Sequence, residues 1–281
     1  MNAFKQLLQQ PQRRGEDARP RANHQRVPFG TWLMSASPLV AEALGHAGFD
    51  WAVIDMEHAP LDVPGVLSML QALSTTRLVP VVRVPSNDAV VIKRVLDLGA
   101  SALMVPLVQD ADEAARAVAA TRYPPRGVRG VAGMSRATRY GTQRLDTEAA
   151  DAGLALIVQL ETPRALDALE SIAAVDGVDA IFIGPTDLAA ALGHGGDIAH
   201  PAVMRAVAQA GERARAAGVP VGTLAGTPEA AAQWRATGFD FIGLGTDLGL
   251  LVHAAQASLT ALRTPYADAM VHSLNAGTQA F

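Results

Sequence analysis

Two carboxylates stand at the ends of strand-like runs and are about 26 residues apart. The run 154–161 (LALIVQLE) closes on Glu161, and the run 180–187 (AIFIGPTD) closes on Asp187. This spacing fits a strand–helix–strand unit whose parallel strands are neighbours, about 4.8 Å apart. Carboxylates on adjacent strand ends suit Mg²⁺ or Mn²⁺, with Co²⁺ a further candidate, better than zinc. The alternative is that each acid only starts a helix.

Other ionisable residues also fall at the ends of apolar runs. Asp55 and Glu57 share one strand face by the period-two rule, and His58 opens the loop that follows. An imidazole paired with Asp55 would suit proton transfer, so we expect His58 to contact Asp55. Arg83 ends the next run, where it is either functional or a countercharge for Asp55 or Glu57.

The turn Gly184-Pro185-Thr186 leads from a strand to a helix, and its backbone N–H groups could hold a carboxylate or phosphate. A metal, an arginine and such a turn together suit a 2-oxo acid, because they stabilise the enolate that forms when a C–C bond breaks. A Schiff-base route needs a lysine at a strand end. The chain has only Lys5, near the N-terminus, and Lys93, inside a predicted helix.

Strands and helices must alternate to bring these residues together. Strands are predicted at 29–34, 51–57, 78–84, 102–108, 154–161, 180–183, 219–224 and 241–245. Helices are predicted at 38–47, 63–73, 89–98, 111–121, 163–174, after Asp187, and at 201–217, 228–237 and 248–262. Eight such units in about 250 residues predict a (β/α)₈ TIM barrel, with its site at the carboxyl ends of the strands. An open doubly wound sheet is disfavoured because no Gly-rich fingerprint follows the first strand.

Composition narrows the class of protein. The chain is 49% hydrophobic and 18% charged, which is typical of a soluble globular domain. A formal charge of −4 gives no support for nucleic-acid or membrane partners, and the absence of cysteine excludes disulfides and thiolate chemistry. Lacking a signal-like apolar core, the protein is expected to be cytoplasmic. We expect an N-terminal arm (1–28), the barrel (29–263) and a C-terminal extension (264–281).

Two further segments carry expectations about partners. The last predicted helix, 248–262, contains no acidic residue, lysine or arginine. A helix that is apolar nearly all round is expected to be covered, and within an assembly a second subunit would cover it. Arg126, Arg129, Arg136 and Arg139 crowd the irregular segment after the fourth strand. We expect this segment near the barrel mouth, with one arginine contacting the aldehyde partner; the alternative is a solvated basic loop.

Several motifs, in order along the chain, resemble the HpcH/HpaI aldolase family. They are 30–32 (GTW), 49–58 (FDWAVIDMEH), 82–85 (VRVP), 126–130 (RGVRG), 159–162 (QLET) and 184–188 (GPTDL). The family comprises class II pyruvate aldolases, similar to 4-hydroxy-2-oxoheptanedioate aldolase and the 2-keto-3-deoxy sugar acid aldolases. The resemblance implies metal-dependent cleavage of a 4-hydroxy-2-oxo acid to pyruvate and an aldehyde. It also implies a homohexamer whose subunits exchange their last helix.

The resemblance assigns roles around the metal and the pyruvate moiety. It implies that Glu161 and Asp187 bind the divalent ion. Arg83 would hold the pyruvyl oxygen, and Gln159 would orient the pyruvate moiety. Glu57 would lie in the outer shell of the metal, where such residues orient ligands.

It assigns further roles around the proton and the aldehyde. His58, paired with Asp55, would move the proton of the 4-hydroxyl group. The backbone of Gly184-Pro185-Thr186 would bind the pyruvate carboxylate, and Leu224 would line the aldehyde pocket. Asp97 would reach the site of a neighbouring subunit.

Two rival functions remain open from the sequence. One is a lyase of the citrate-lyase kind that acts on a CoA thioester and shares the metal carboxylates; the scarcity of lysine counts against a CoA site. The other is a silent barrel that binds a 2-oxo acid for assembly or regulation. The alternative of a non-catalytic barrel is disfavoured because the candidate set is complete: His58, Arg83, Glu161 and Asp187.

Overall fold

The computed structural model describes residues 2–9 and 27–263, and its eight parallel strands close into a barrel. The strands are β1 (Phe29–Leu33), β2 (Trp51–Asp55), β3 (Val79–Arg83), β4 (Ala102–Val105), β5 (Ala155–Leu160), β6 (Ala180–Ile183), β7 (Val221–Ala225) and β8 (Phe241–Thr246). Each pairs with the next in sequence, and β8 closes on β1 through the register Gly30↔Gly243. The predicted TIM barrel is confirmed.

The helices follow the strands as predicted, with local differences. They are α1 (Ala3–Gln9), α2 (Pro38–His46), α3 (Val63–Leu73), α4 (Ala89–Asp97), α5 (Ala111–Thr121), α6 (Thr147–Ala152), α7 (Pro163–Asp167), α8 (Leu169–Ala173), α9 (Pro185–Ala191), α10 (Pro201–Ala216), α11 (Pro228–Ala236) and α12 (Asp247–Arg263). Helix α9 begins at Pro185, so Asp187 lies in its first turn rather than before it. Strand β4 ends at Val105, because Pro106 has no N–H to continue the ladder.

Alternation along each strand separates two sets of side chains. In β2, Trp51 and Val53 point into the barrel, whereas Ala52 and Ile54 pack in the cluster that includes helix residues. The inward row of β2 therefore continues to Asp55 at the carboxyl end. The same alternation carries the inward rows of β3 and β5 to polar residues. Period-two patterning thus gathers these polar side chains at one mouth of the barrel.

Aromatic rings fill the interior beneath that mouth. Trp51 lies with its ring centroid 5.8 Å from that of Trp32 and 5.7 Å from that of Phe241. A β-carbon at Gly30 would come within 2.2 Å of the Trp51 ring. Glycine at this position lets the backbone of β1 approach the indole. The barrel is therefore a packed core and not a channel.

The first helix closes the opposite end of the barrel. Phe4 of α1 is buried and meets Trp51 and Phe241 edge-on, at centroid distances of 6.2 and 5.4 Å. Asn2 Nδ2 donates to Ser101 O and Gly153 O, which precede β4 and β5. The beginning of the predicted arm is therefore part of the barrel core. Residues 10–26 of that arm lie outside the described residues.

The arginine-rich segment lies at the amino ends of the strands, so its predicted position near the site's mouth is wrong. Helix α5 runs from the carboxyl-end face of the barrel back to the amino-end face. The segment that follows α5 therefore begins at the amino-end face. Accordingly, Arg136 Nη1 donates to Leu98 O at 2.8 Å, just after α4. Arg126 Nη2 lies 3.0 Å from Asp151 Oδ2, just before β5. Within one chain these arginines cannot line the site.

The last helix belongs partly to a second compact unit, which begins at Leu248. All residues from 251 to 263 are exposed in the single chain. The predicted extension, 264–281, lies outside the described residues. Among the residues that the structure describes, no helix is long and apolar enough to cross a membrane.

We predict that Phe4→Ala lowers the free energy of unfolding by about 3–5 kcal/mol, as expected when a buried phenylalanine leaves a cavity. Denaturant unfolding monitored by tryptophan fluorescence measures the loss. Lys5→Ala is the matched control, because it removes only a partly exposed ion pair with Asp179 and should cost less than about 1 kcal/mol. Equal effects of the two substitutions would show that α1 is not part of the core.

Candidate active site

A buried ion pair lies at the carboxyl ends of β2 and β3. Asp55 is 0% exposed, and its two oxygens accept from Arg83 Nε at 2.9 Å and Nη2 at 2.7 Å. The two residues are direct register partners in the sheet. The countercharge alternative for Arg83 is thus realised in the structure. It does not compete with a functional role, because Nη1 still points to other groups of the site.

Glu57 is the second acidic partner of this arginine. Arg83 Nη1 lies 2.9 Å from Glu57 Oε2, yet no N–H in the described chain is aligned for a hydrogen bond to that buried oxygen. Glu57 N donates to Asp55 Oδ1 at 3.0 Å, which fixes the turn after β2. Burial raises the pKa of Glu57, and the charge of Arg83 opposes the increase. This carboxylate retains acceptor capacity at the mouth.

The expected pairing of His58 with Asp55 is wrong. Both oxygens of Asp55 are engaged by Arg83, and the carboxylate within reach of His58 Nε2 is that of Glu57, at 3.8 Å. The side chain of His58 is 55% exposed and so opens toward solvent. Its position in the loop directly after β2, beyond the last ladder pair, explains why strand periodicity did not predict its partner.

Glu161 follows β5 and is held by two donors. The residue is 1% exposed; Leu107 N donates to its Oε1 at 2.9 Å, and Gln159 Nε2 donates to its Oε2. Gln159 Oε1 faces Arg83 Nη1 at 3.5 Å, a long contact that joins β5 to the ion pair. Strands β5 and β6 are register neighbours as predicted, with Leu160 opposite Ile183.

The turn after β6 completes the arrangement. A β-carbon at Gly184 would come within 2.4 Å of Glu161 Oε2 and 2.8 Å of Gln159 Nε2, so any side chain there would displace the carboxylate. Thr186 and Asp187 are exposed in the first turn of α9. The first N–H groups of a helix have no acceptor within it, so this turn can bind an anion. Pro185 fits the first helical position because it lacks an N–H.

The electrostatics favour a cation beside Glu161. Burial raises the pKa of Glu161 to about 7; the N–H of Leu107 opposes the increase, and the charges of Asp187 and Glu57 add to it. Two further acidic groups, Glu57 and Asp187, therefore act on the buried carboxylate of Glu161. A bound cation would relieve this repulsion.

The residues fit a divalent ion that needs few protein ligands. Within residues 2–9 and 27–263, no group of three His, Cys, Asp or Glu side chains forms a complete metal cage. Mg²⁺ and Mn²⁺ are often held by one or two carboxylates, with water and substrate in the remaining positions. Glu161 and Asp187 supply such a pair. The space kept free by Gly184 and the unaligned oxygen of Glu57 agree with this donor set.

Two predicted residues lie farther from these groups. Leu224, in β7, is half-buried against the interior aromatic cluster, on the inward row that leads to the mouth. Asp97 ends α4 at the amino-end face and accepts from Arg129 Nη2 at 3.1 Å. Asp97 therefore cannot serve the site of its own chain. Its role at a neighbouring subunit's site stays a prediction.

Sequence reasoning missed two contributors to the site. Trp32 lies beneath the guanidinium of Arg83, with Cζ 5.9 Å from the ring centroid. Its inward position follows from the alternation of side chains along β1, so the sequence contains the information that places Trp32 inside the barrel. Leu107 contributes only its backbone N–H, and nothing about a leucine in a loop signals that contact.

We predict that the metal-free protein loses stability as pH rises from about 5 to about 8. With a folded-state pKa of about 7 against 4.5 for an ordinary glutamate, folded Glu161 keeps a proton that the unfolded chain has released. The stabilisation is complete below pH 4.5 and is lost as pH rises through about 7. Its size is on the order of 3 kcal/mol.

Comparison with Glu161→Gln isolates this residue, because all other titrating groups are shared. The amide places a donor against Leu107 or Gln159, and that penalty does not change with pH. Denaturant unfolding in EDTA should show wild type losing stability relative to the variant across this range. A difference that stays flat with pH would mean that Glu161 titrates normally.

The chain is similar to proteins named as aldolases. A protein from Pseudomonas putida named 2-dehydro-3,6-dideoxy-6-sulfogluconate aldolase is 46% identical over 239 residues, covering 85% of this chain and 94% of that one. A 5-keto-4-deoxy-D-glucarate aldolase from Enterobacter sp. (strain 638) is 45% identical over 230 residues, covering 82% and 90%. Aldolases are carbon–carbon lyases.

A solved structure from Burkholderia cenocepacia J2315, described as an HpcH/HpaI aldolase/citrate lyase family protein, superimposes with a TM-score of 0.85 at 44% identity. The match covers 94% of this chain and 100% of that one. The profile of the HpcH/HpaI aldolase/citrate lyase family matches residues 28–254. The chain belongs to the HpcH/HpaI aldolase/citrate lyase family.

Proposed function

We propose that the protein is a metal-dependent aldolase that reversibly cleaves 4-hydroxy-2-oxo acids to pyruvate, or a related 2-oxo acid, and an aldehyde. The observation that carries the proposal is the joining of Arg83, at the end of β3, to Gln159 and Glu161, at the end of β5, in one barrel mouth. The relatives from Pseudomonas putida and Enterobacter are named for keto-deoxy sugar acids. We therefore propose sugar acids of this class as substrates.

Glu161 and Asp187 would hold a divalent ion, Mg²⁺ or Mn²⁺ first and Co²⁺ also suitable. When bound there, the ion would act as a Lewis acid toward the negative charge that develops on the 2-oxo oxygen. The turn Gly184-Pro185-Thr186 would bind the carboxylate of the substrate through first-turn N–H groups. Gln159, fixed by its bond to Glu161, would orient the 2-oxo acid.

Arg83 would stabilise the same developing charge. Asp55 engages Nε and one N–H of Nη2, and Nη1 faces Gln159 and Glu57, so the second hydrogen of Nη2 would be offered to a substrate oxygen. Because Asp55 fixes the plane of the guanidinium, no reorganisation is needed as the charge forms. Trp32 supports the face of the group.

Proton transfer is assigned to His58, beside Glu57 rather than Asp55. In cleavage, the neutral imidazole accepts the 4-hydroxyl proton, directly or through water. The C4–O bond becomes the aldehyde carbonyl, the C3–C4 bond breaks, and its electron pair passes into the enolate of the 2-oxo acid. The proton taken up by His58, passed on through water, then adds to C3 of the enolate, which gives pyruvate and returns the imidazole to its starting form. Leu224 would face the departing aldehyde.

The test is retro-aldol release of pyruvate from a panel of 4-hydroxy-2-oxo acids, with and without EDTA. We expect release that stops in EDTA and returns with Mn²⁺, and that favours substrates with an anionic terminus, as the names of the relatives suggest. Glu161→Ala and Asp187→Ala should each remove activity while the barrel stays folded. Near-normal turnover in either variant, after metal stripping and re-addition, would exclude that residue as a ligand.

The same panel includes a CoA thioester and a binding assay with pyruvate alone. Thioester cleavage without release from any hydroxy-oxo acid would favour the citrate-lyase alternative. Pyruvate binding without turnover of any substrate would favour the silent barrel.

Arg83→Lys should lower kcat by about 10²–10³-fold, as expected when a preorganised donor to a developing oxyanion is lost. Lysine carries the charge but cannot form the fork that grips Asp55. Steady-state kinetics at saturating Mn²⁺ measures the change. Arg122→Lys, at an ion pair with Asp176, is the matched control and should leave kcat unchanged. Activity of Arg83→Lys within about threefold of wild type would reduce Arg83 to a countercharge.

We further propose that the protein assembles as a homohexamer in which neighbouring chains exchange α12. The exposed residues Leu251, Val252 and Leu262 support this, because a helix with such apolar residues and no charge from 248 to 262 favours a covering partner. Light scattering near micromolar concentration should give a hexamer, and Asp97→Ala should lower activity without changing the mass. A fully active monomer would contradict both the exchange and the shared role of Asp97.

A further inference from the structure

The backbone of Leu107 adopts a conformation that leucine rarely takes. Its φ is +54°, in the left-handed region that sterically favours glycine and, less strongly, asparagine. The residue is 49% exposed, so apolar burial does not hold it there. Some other interaction must maintain this conformation.

Hydrogen bonds between the loop that contains Leu107 and residues at the end of β5 maintain this conformation. Beyond the contact from Leu107 N to Glu161 Oε1, the next residue, Val108, donates its N–H to Gln159 O at 3.1 Å. The following residue, Gln109, accepts from Thr162 Oγ1 at 2.6 Å. Three consecutive residues are thus fastened to the stretch that carries the site.

The left-handed turn decides where the N–H of Leu107 points. Because Val108 and Gln109 are held in place, moving φ of Leu107 to a negative value would rotate the peptide plane that carries its N–H, and the donor would leave Glu161. The partner donor, Gln159 Nε2, acts on the other carboxylate oxygen. Together the two donors define the orientation of a carboxylate that is almost completely buried. Strained residues at sites persist only where surrounding bonds require them.

We propose that Leu107 is a positioning residue for the metal ligand Glu161, and that its left-handed backbone aims the N–H that orients the carboxylate. This inference rests on the proposed function, since it takes Glu161 as a ligand. The leucine side chain has no part in it. Any residue that adopts the conformation should serve, and any residue that resists it should not.

The test measures Mn²⁺ binding to EDTA-stripped protein. The electron paramagnetic resonance signal of free Mn²⁺ monitors how much of the metal stays unbound. Leu107→Ile keeps size and apolarity, but its branched β-carbon disfavours positive φ, and it should bind Mn²⁺ at least about tenfold more weakly. Leu107→Gly adopts the conformation freely and should stay within about threefold of wild type. Leu39→Ile, at an exposed leucine of α2, is the matched control and should bind as wild type does.

If Leu107→Ile fails to fold, Leu107 is replaced by its α-hydroxy acid, so that an ester takes the place of the peptide bond before it. This ester variant keeps the side chain but lacks the N–H, and it should weaken Mn²⁺ binding to the same degree. Wild-type affinity in the Ile variant or the ester overturns the inference, as does equal weakening by Gly and Ile. The inference alone has failed if wild type binds Mn²⁺, Glu161→Ala does not, and Leu107→Ile binds normally. If wild type binds none, or Glu161→Ala binds normally, the metal assignment fails with it.

Discussion

The site depends on the ion pair between Asp55 and Arg83 at adjacent strand ends. Two charges removed from water carry a large desolvation cost, which only good geometry and further hydrogen bonds offset. The register of β2 and β3 supplies that geometry, and the fork of Arg83 meets both oxygens of Asp55. Because loss of either partner would leave a buried charge uncompensated, the pair sets the position of everything that contacts Arg83.

The barrel supplies a rigid base for this polar layer. Phe4, Trp51 and Phe241 pack the interior below, and Trp32 lies between that core and the guanidinium. Polar side chains rest on an apolar surface from which water is excluded, which strengthens their mutual interactions. The raised pKa of Glu161 is one consequence. A carboxylate that resists ionisation when alone becomes a good ligand once a cation neutralises it.

The sequence predicted the parts of the site that follow from periodicity. Apolar runs located the strands, and the polar residues that end them pointed to one face of the barrel. Glu161 and Asp187 could be placed beyond the ends of neighbouring strands because a strand–helix–strand unit fixes their spacing. The sequence predicted that Arg83 is either functional or a countercharge, and the structure shows that it pairs with Asp55.

The errors arose where periodicity stops. His58 lies beyond the ladder, so its neighbour depends on the path of a loop. The arginine-rich segment lies at the amino-end face because α5 runs back from the carboxyl-end face before the segment begins. The conformation of Leu107 depends on hydrogen bonds between its loop and residues about 50 positions away, such as the one that Leu107 N donates to Glu161. Leucine has no turn preference that would have indicated it.

We propose that Glu161 and Asp187 hold a divalent ion at the carboxyl-end mouth of the barrel. Anomalous diffraction at the manganese edge, from crystals soaked with Mn²⁺ and pyruvate, locates such an ion without reference to activity. We expect one strong peak within about 2.0–2.3 Å of a carboxylate oxygen from each residue, the range of Mg²⁺-like coordination. A peak elsewhere, or none at full Mn²⁺ occupancy in solution, would contradict it.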